Sequence, residues 1–153
     1  MSTFYICPTP IGNLEDISER VLKTLQSVDV VYCEDTRRSR KLLDHFSIST
    51  PLKSYFVGNE LNKIGEIENT LIENKDIALI SDAGTPLISD PGNELIRHLI
   101  LKGFKIISIP GPSSVITALT VSGFEISKFQ FLGFIPKAGK ERSEFLVRLF
   151  NSE

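Results

Sequence analysis

Short apolar runs rich in Ile, Val and Phe alternate along the chain with longer stretches whose apolar residues recur at helical spacing. The first pattern predicts strands at Phe4–Cys7, Val28–Cys33, Leu52–Phe56, Ile77–Ser81 and Lys105–Ile109, with a sixth at Phe129–Ile135. The second predicts a helix starting at Asp16, with Glu19 completing a capping box and Ile17, Val21, Leu25 and Val28 on one face. Further helices are expected over Thr36–Phe46, Asn59–Glu73, Pro91 to near Gly103, Pro112 to near Gly123, and Glu141–Phe150. In the third and fourth of these, Pro is expected at the first helical position and Gly just past the end. Strand and helix thus alternate over five units, which predicts an α/β fold: a mostly parallel five-stranded sheet flanked by helices.

After Phe134 the alternation stops, and Pro136-Lys137-Ala138-Gly139-Lys140 reads as a break. The expected division is one α/β domain over residues 1–135 and the start of a second, otherwise absent, over 136–153. The length of 153 residues suits one ordinary domain. No run approaches the 18 or so apolar residues of a membrane span, and Met1–Ile6 lacks the features of a signal peptide, so a cytosolic protein is expected. Cys7 and Cys33 each lie in an apolar run, as buried reduced thiols do; a single disulfide between neighbouring strands is the lesser alternative.

Charge narrows the chemistry. Seventeen basic against 19 acidic residues give a net charge of -2, so contact with nucleic acid must come from a local patch. One such patch exists: Arg37, Arg38, Arg40 and Lys41 place four cations in five residues at the start of a helix. A solvated helix face is the structural alternative. His45 and His98 have no carboxylate or thiol at ligand spacing, so no metal site is expected.

Ligands of open parallel sheets bind at the carboxyl ends of the strands. The loops expected there are Pro8–Asn13, Glu34–Arg37, Ser81–Pro86 and Pro110–Ser114. Glu34 and Asp35 follow Gly12 by about the interval seen in dinucleotide folds, but the first loop has one glycine where that fingerprint needs three. A ligand without a pyrophosphate fits better. Ser81–Gly92 spends twelve residues, mostly Gly, Pro, Asp, Ser and Thr, where 2–6 are usual, which marks a functional loop.

The segments PTPIGNL at 8–14, EDTR at 34–37, LISDAGTPLISDPG at 79–92, PGPSS at 110–114 and GFIPK at 133–137 resemble, in order and spacing, the bacterial family of ribosomal RNA small-subunit methyltransferases of type I, within the tetrapyrrole-methylase class. The resemblance covers nearly all of residues 4–145. It implies methyl transfer from S-adenosylmethionine to the ribose 2'-hydroxyl of a cytidine in small-subunit ribosomal RNA, by a homodimer of two-domain subunits. It also implies cofactor loops at Pro10, at Asp82, Gly84, Thr85 and Ile88, and at Ser113, Ser114 and Val115. Substrate handling is expected of Glu34, Asp35 and Arg37, and RNA contact of Arg37, Arg38, Arg40 and Lys41. The chain departs from the family where Gly58, not His, precedes Asn59 and Glu60. A tetrapyrrole methyltransferase and a non-catalytic dimerisation or binding module are the alternatives.

Overall fold

The computed structural model describes residues 2–151. Five parallel strands, β1 Thr3–Ile6, β2 Val30–Cys33, β3 Leu52–Ser54, β4 Ile77–Leu79 and β5 Lys105–Ser108, form one sheet in the order β3-β2-β4-β1-β5. Six α-helices follow the strands: α1 Glu19–Ser27, α2 Thr36–His45, α3 Glu60–Ile72, α4 Asn93–Leu101, α5 Ser114–Thr120 and α6 Gly139–Phe150.

Alternate residues of each strand serve opposite faces. Val31, Cys33, Ala78 and Ile80 meet Val21 and Leu25 of α1 and Leu43 of α2 in one buried cluster. Phe4, Ile6, Tyr32, Ile77 and Leu79 meet Ile67 and Leu71 of α3 and Leu95 and Leu99 of α4 in the other. Burial on both faces explains why the strands read as continuous apolar runs. The chain leaves β1 for one face and β4, its neighbour, for the other. Their loops therefore part at the carboxyl edge, and the crevice this opens is the usual ligand position in such sheets.

Several expected boundaries move. Residues Leu14–Asp16 form a 3-10 turn capped by Asn13, and Ser18, not Asp16, caps α1 by accepting from the Val21 amide. Ile17 and Val28 still reach the core from just outside the helix. Neither proline begins its helix: α4 starts after Gly92, and α5 after Ser113, whose hydroxyl accepts from the Ile116 amide. The sixth strand does not form. Gly133 has φ +73°, a left-handed conformation that breaks the pleat, and Phe129–Ile135 makes no ladder with the exposed edge strand β5. Val121, Phe124, Phe134 and Phe150 consequently stay about four-fifths exposed, at 83%, 79%, 84% and 84%. Cys7, just past the end of β1, and Cys33, at the end of β2, are free buried thiols with β4 between their strands, and burial pushes Cys7 up to about 12.

At the opposite edge from the loops, Glu66 of α3 accepts from Lys53 Nζ at 2.8 Å and Tyr32 Oη at 2.9 Å and pairs with Lys63. Burial opposes its ionisation, but the bonds from Lys53, Lys63 and Tyr32 prevail and bring its carboxyl from 4.5 to about 2. A depressed carboxyl stabilises the fold fully above its ordinary value and loses that contribution as pH falls toward its folded value. Glu66→Gln is therefore expected to lower stability near neutrality by about 1–2 kcal/mol, discounted for its partial exposure, and to flatten the loss of stability between pH 4.5 and 2. Urea denaturation across that range measures both.

Candidate active site

The loops from β1 and β4 are stitched together at the crevice. Thr9 and Gly84 exchange two backbone hydrogen bonds, of 2.9 and 3.0 Å, and Thr9 Oγ1 donates to the Ser81 carbonyl at 3.0 Å. Ser81 Oγ donates to the Gly84 carbonyl at 3.0 Å, and Thr85 Oγ1 donates to the Pro112 carbonyl at 3.1 Å, drawing in the loop after β5. Glu60 braces the far end of the long loop by accepting from the Gly92 amide at 3.0 Å. Twelve residues of irregular backbone thus owe their shape to the loop's own Ser81 and Thr85 hydroxyls and to Thr9, Glu60 and Pro112, from three other places in the chain. This bracing places two concavities side by side, one on each side of the Thr9–Gly84 bridge.

The first is a cavity of about 360 Å³. Gly84, Thr85 and Ile88 form one wall, Ser113, Ser114 and Val115 another, and Ile11 and Phe131 contribute apolar surface. Six of the eight residues expected to hold a cofactor meet here. Its lining includes a carboxylate, Asp90, and, among the described residues, no Lys, Arg or His. Burial, with the Asp82 charge adding to it, raises the Asp90 carboxyl above its ordinary value, against the hydrogen bond from Ser81. Sequence reasoning missed Asp90, although Ser-Asp occurs twice in the one segment, at 81–82 and 89–90. Gly84 has φ +79°, and a Cβ there would stand 3.4 Å from Ile11 Cγ2 and 3.7 Å from the Pro112 carbonyl, so this backbone forms the cavity wall itself.

The second is a groove of about 470 Å³ between the first loop and α2. Pro10 and Asp82, also expected beside the cofactor, line this groove and not the cavity. Arg38 bridges the groove to Asp82 Oδ2 at 2.8 Å, so a residue expected to hold RNA and one expected to hold cofactor form one ion pair.

The other expected site residues go elsewhere. Asp35 caps α2 through the Arg37 amide and binds the Arg37 guanidinium at 3.2 and 3.0 Å. Those bonds hold the Asp35 carboxyl at about 2. Helix capping thus occupies the acid expected to handle substrate, and neither Asp35 nor Arg37 lines the groove or the cavity. Arg40 donates to the carbonyls of Ile48 and Thr50 and pairs with Asp44, a structural role at the end of its helix. Among the described residues, only Lys41 of the four cations has no partner. Glu34 lies behind the loop against a small void shared with Ser81, Asp90 and Tyr55, whose buried hydroxyl has no partner among the described residues. Burial, then the charges of Asp82 and Asp90, raises the Glu34 carboxyl.

A doubly wound sheet with a carboxylate-bearing cavity at its crevice belongs with the α/β proteins that take their ligands at the carboxyl ends of the strands. Within that class, residues 3–150 match the Tetrapyrrole (Corrin/Porphyrin) Methylases, and the chain belongs to that family. It is similar to the ribosomal RNA small subunit methyltransferase I of Halalkalibacterium halodurans, 46% identical over 94% of this chain and 50% of the relative. The proteins of the same name from Vibrio cholerae and Thermotoga maritima are 48% and 47% identical over 95% and 97% of this chain, and 50% and 67% of their own lengths. The chain thus spans about half the length of the first two and 67% of the third. In fold it resembles the solved diphthine synthase, with a TM-score of 0.67 at 18% identity over 85% of this chain and 52% of that one. The Thermus thermophilus uroporphyrin-III-C-methyltransferase superposes with a TM-score of 0.61 at 19% identity, over 84% of this chain and 55% of that one.

Proposed function

We propose that the chain is the catalytic α/β part of an S-adenosylmethionine-dependent enzyme that methylates a cytidine ribose 2'-hydroxyl in small-subunit ribosomal RNA. The observation that carries this reading is the adjacency of two unlike concavities: one suits a cationic nucleoside, and the other, lined by Arg38 and Lys41, suits a polyanion. The names and 46–48% identity of the relatives support the RNA substrate.

S-Adenosylmethionine fits the residues of the cavity. A nucleoside without phosphates needs no cation, and Asp90 supplies the negative charge that a sulfonium or amino group seeks. When bound, it supplies a methyl group already activated on positive sulfur. The chain then has to position an acceptor oxygen behind that methyl, which is where most of the rate enhancement of such displacements arises. Gly84 and Thr85 form the cavity wall, and the bridge from Gly84 to Thr9 separates this wall from the groove. The acceptor side is thereby fixed relative to the donor side by backbone bonds.

A second domain starting within 136–153 and a second copy of the subunit complete the proposed enzyme in the cytoplasm. The exposed apolar side chains of residues 121–150, and an α6 without a buried residue, support a covering partner there. Among the described residues no helix is long and apolar enough to cross a membrane.

The intact natural protein, given methyl-labelled cofactor, is expected to label ribosomal RNA in assembled small subunits, with nuclease mapping placing the label on a ribose. Label in a tetrapyrrole and none in RNA would replace this reading with its small-molecule alternative.

A further inference from the structure

An exposed apolar patch lies at the turn between β3 and α3, where Phe56 and Val57 are 43% and 71% exposed. An apolar side chain on a slack loop can fold back onto the protein, but this turn is pinned. Asn59 Oδ1 accepts from the Phe56 amide at 2.9 Å, Asn59 Nδ2 donates to the Ser54 carbonyl at 3.4 Å, and the Asn59 amide donates to the Phe56 carbonyl at 3.0 Å. Gly58 completes the turn at φ +105°. Both backbone groups of Phe56 are thus held, and its ring is presented to solvent at the carboxyl edge of the sheet.

The surroundings say what suits that ring. The Tyr55 amide donates to the Cys33 carbonyl at 2.8 Å, so Phe56 follows directly on the point where β3 leaves its pairing with β2, beside the Glu34–Arg37 loop. Helix α2 starts from that loop and carries Arg38 and Lys41 into the neighbouring groove. A phosphate is repelled by Glu34 and Asp35 and drawn to Arg38 and Lys41, so an uncharged part of a nucleotide suits the rim next to Phe56. The strand order places β3 at the opposite edge of the sheet from β5 and the exposed apolar residues 121–150 that follow it. A partner covering those residues therefore does not account for Phe56.

We infer that Phe56 is a stacking platform for an RNA base that flanks the acceptor nucleotide, with Val57 adding apolar contact. This inference rests on the RNA methyltransferase reading. Proteins read single-stranded RNA largely by laying unstacked bases on aromatic rings, a contact that tolerates any base because each has a π-face. β3 lies two strands from β4, about 10 Å at ordinary strand spacing, so the base on Phe56 belongs to a neighbour of the acceptor and not to the acceptor itself.

Two readouts on the intact natural protein test this. In methyl transfer to assembled small subunits, Phe56→Ala is expected to raise KM about tenfold or more with kcat nearly unchanged, the scale of one stacked base lost from binding alone. Phe56→Leu, apolar but without a ring face, should behave like the alanine variant, and Phe56→Tyr like wild type. Affinity for S-adenosylhomocysteine should hold in all three, and the melting temperature should move little because the side chain is exposed. The 153 residues include no tryptophan, so Phe56→Trp adds a reporter at the platform. Its fluorescence, after subtraction of the wild-type signal, should be quenched by a short cytidine oligoribonucleotide and not by an abasic strand of the same length and charge. A wild-type KM in Phe56→Ala, full function in Phe56→Leu, or equal quenching by the two strands would overturn the platform. Loss of self-association in Phe56→Ala, seen by sedimentation, would overturn it too, by assigning the patch to a subunit interface. Base-dependent quenching without methyl transfer to RNA would sink the methyltransferase reading and leave the platform standing.

Discussion

Gly111→Ala is expected to lower the melting temperature by about 6–12 °C, the equivalent of about 3 kcal/mol in a domain of this size. The added Cβ would stand 2.2 Å from Pro8 Cγ and 2.8 Å from Pro8 Cβ, distances that real side chains do not tolerate. Pro8 has no rotamer to escape into, since its ring is part of the backbone. Relief therefore requires the loop after β1 and the loop after β5 to separate. Those loops carry Ile11 and Ser113 into the cavity, so the same change should disturb the site as well as the fold. The entropic gain of replacing a glycine, about 0.4–1 kcal/mol, offsets only a part of this cost. Calorimetric scanning at fixed pH measures the shift; a change below about 2 °C would mean that the two loops are not in the contact described.

The sheet was legible in the sequence because its chemistry is local. Residues buried on both faces must be apolar in succession, and Val30–Cys33 and Ile77–Leu79 are. The carboxyl-edge loops were legible too, because Gly, Pro, Asp and Ser accumulate where backbone leaves a strand without continuing into a helix. What failed were local rules with two valid answers. Asp16 and Ser18 are both good caps, and the chain resolved them with a short turn ahead of α1. Phe129–Ile135 has strand-like composition, but a strand also needs a partner edge and a backbone that stays extended, and Gly133 ends that extension.

Charges were the least legible part. The run Arg37, Arg38, Arg40 and Lys41 reads as one patch, yet its members have four different fates. Asp35 takes Arg37, a neighbour two residues away, while Arg38 finds Asp82 at a separation of 44 residues. No periodicity announces a pair of that kind. The same holds for Asp82 itself: its place in the motif beside Gly84 puts it next to the cavity between Gly84 and Ser113, yet it lines the groove.

Gly84→Val is expected to weaken cofactor binding by about a hundredfold or more, and Gly84→Ala by about tenfold. A β-branched residue at φ +79° costs about 1–2 kcal/mol in backbone strain alone, and its side chain would extend from the wall toward Ile11 Cγ2 and the Pro112 carbonyl. Asp82 and the groove are left in place by this substitution, so RNA affinity should hold while the cofactor is lost. The direct measurement is an amide chemical-shift titration of the chain with S-adenosylhomocysteine, carried to millimolar ligand so that weak binding is visible. The account predicts shifts concentrated at Gly84, Thr85, Ile88 and Ser113–Val115, and their absence in Gly84→Val. Shifts that cluster instead around Lys41, His45 and Asp82, or that persist unchanged in Gly84→Val, would contradict the placement of the cofactor in this cavity.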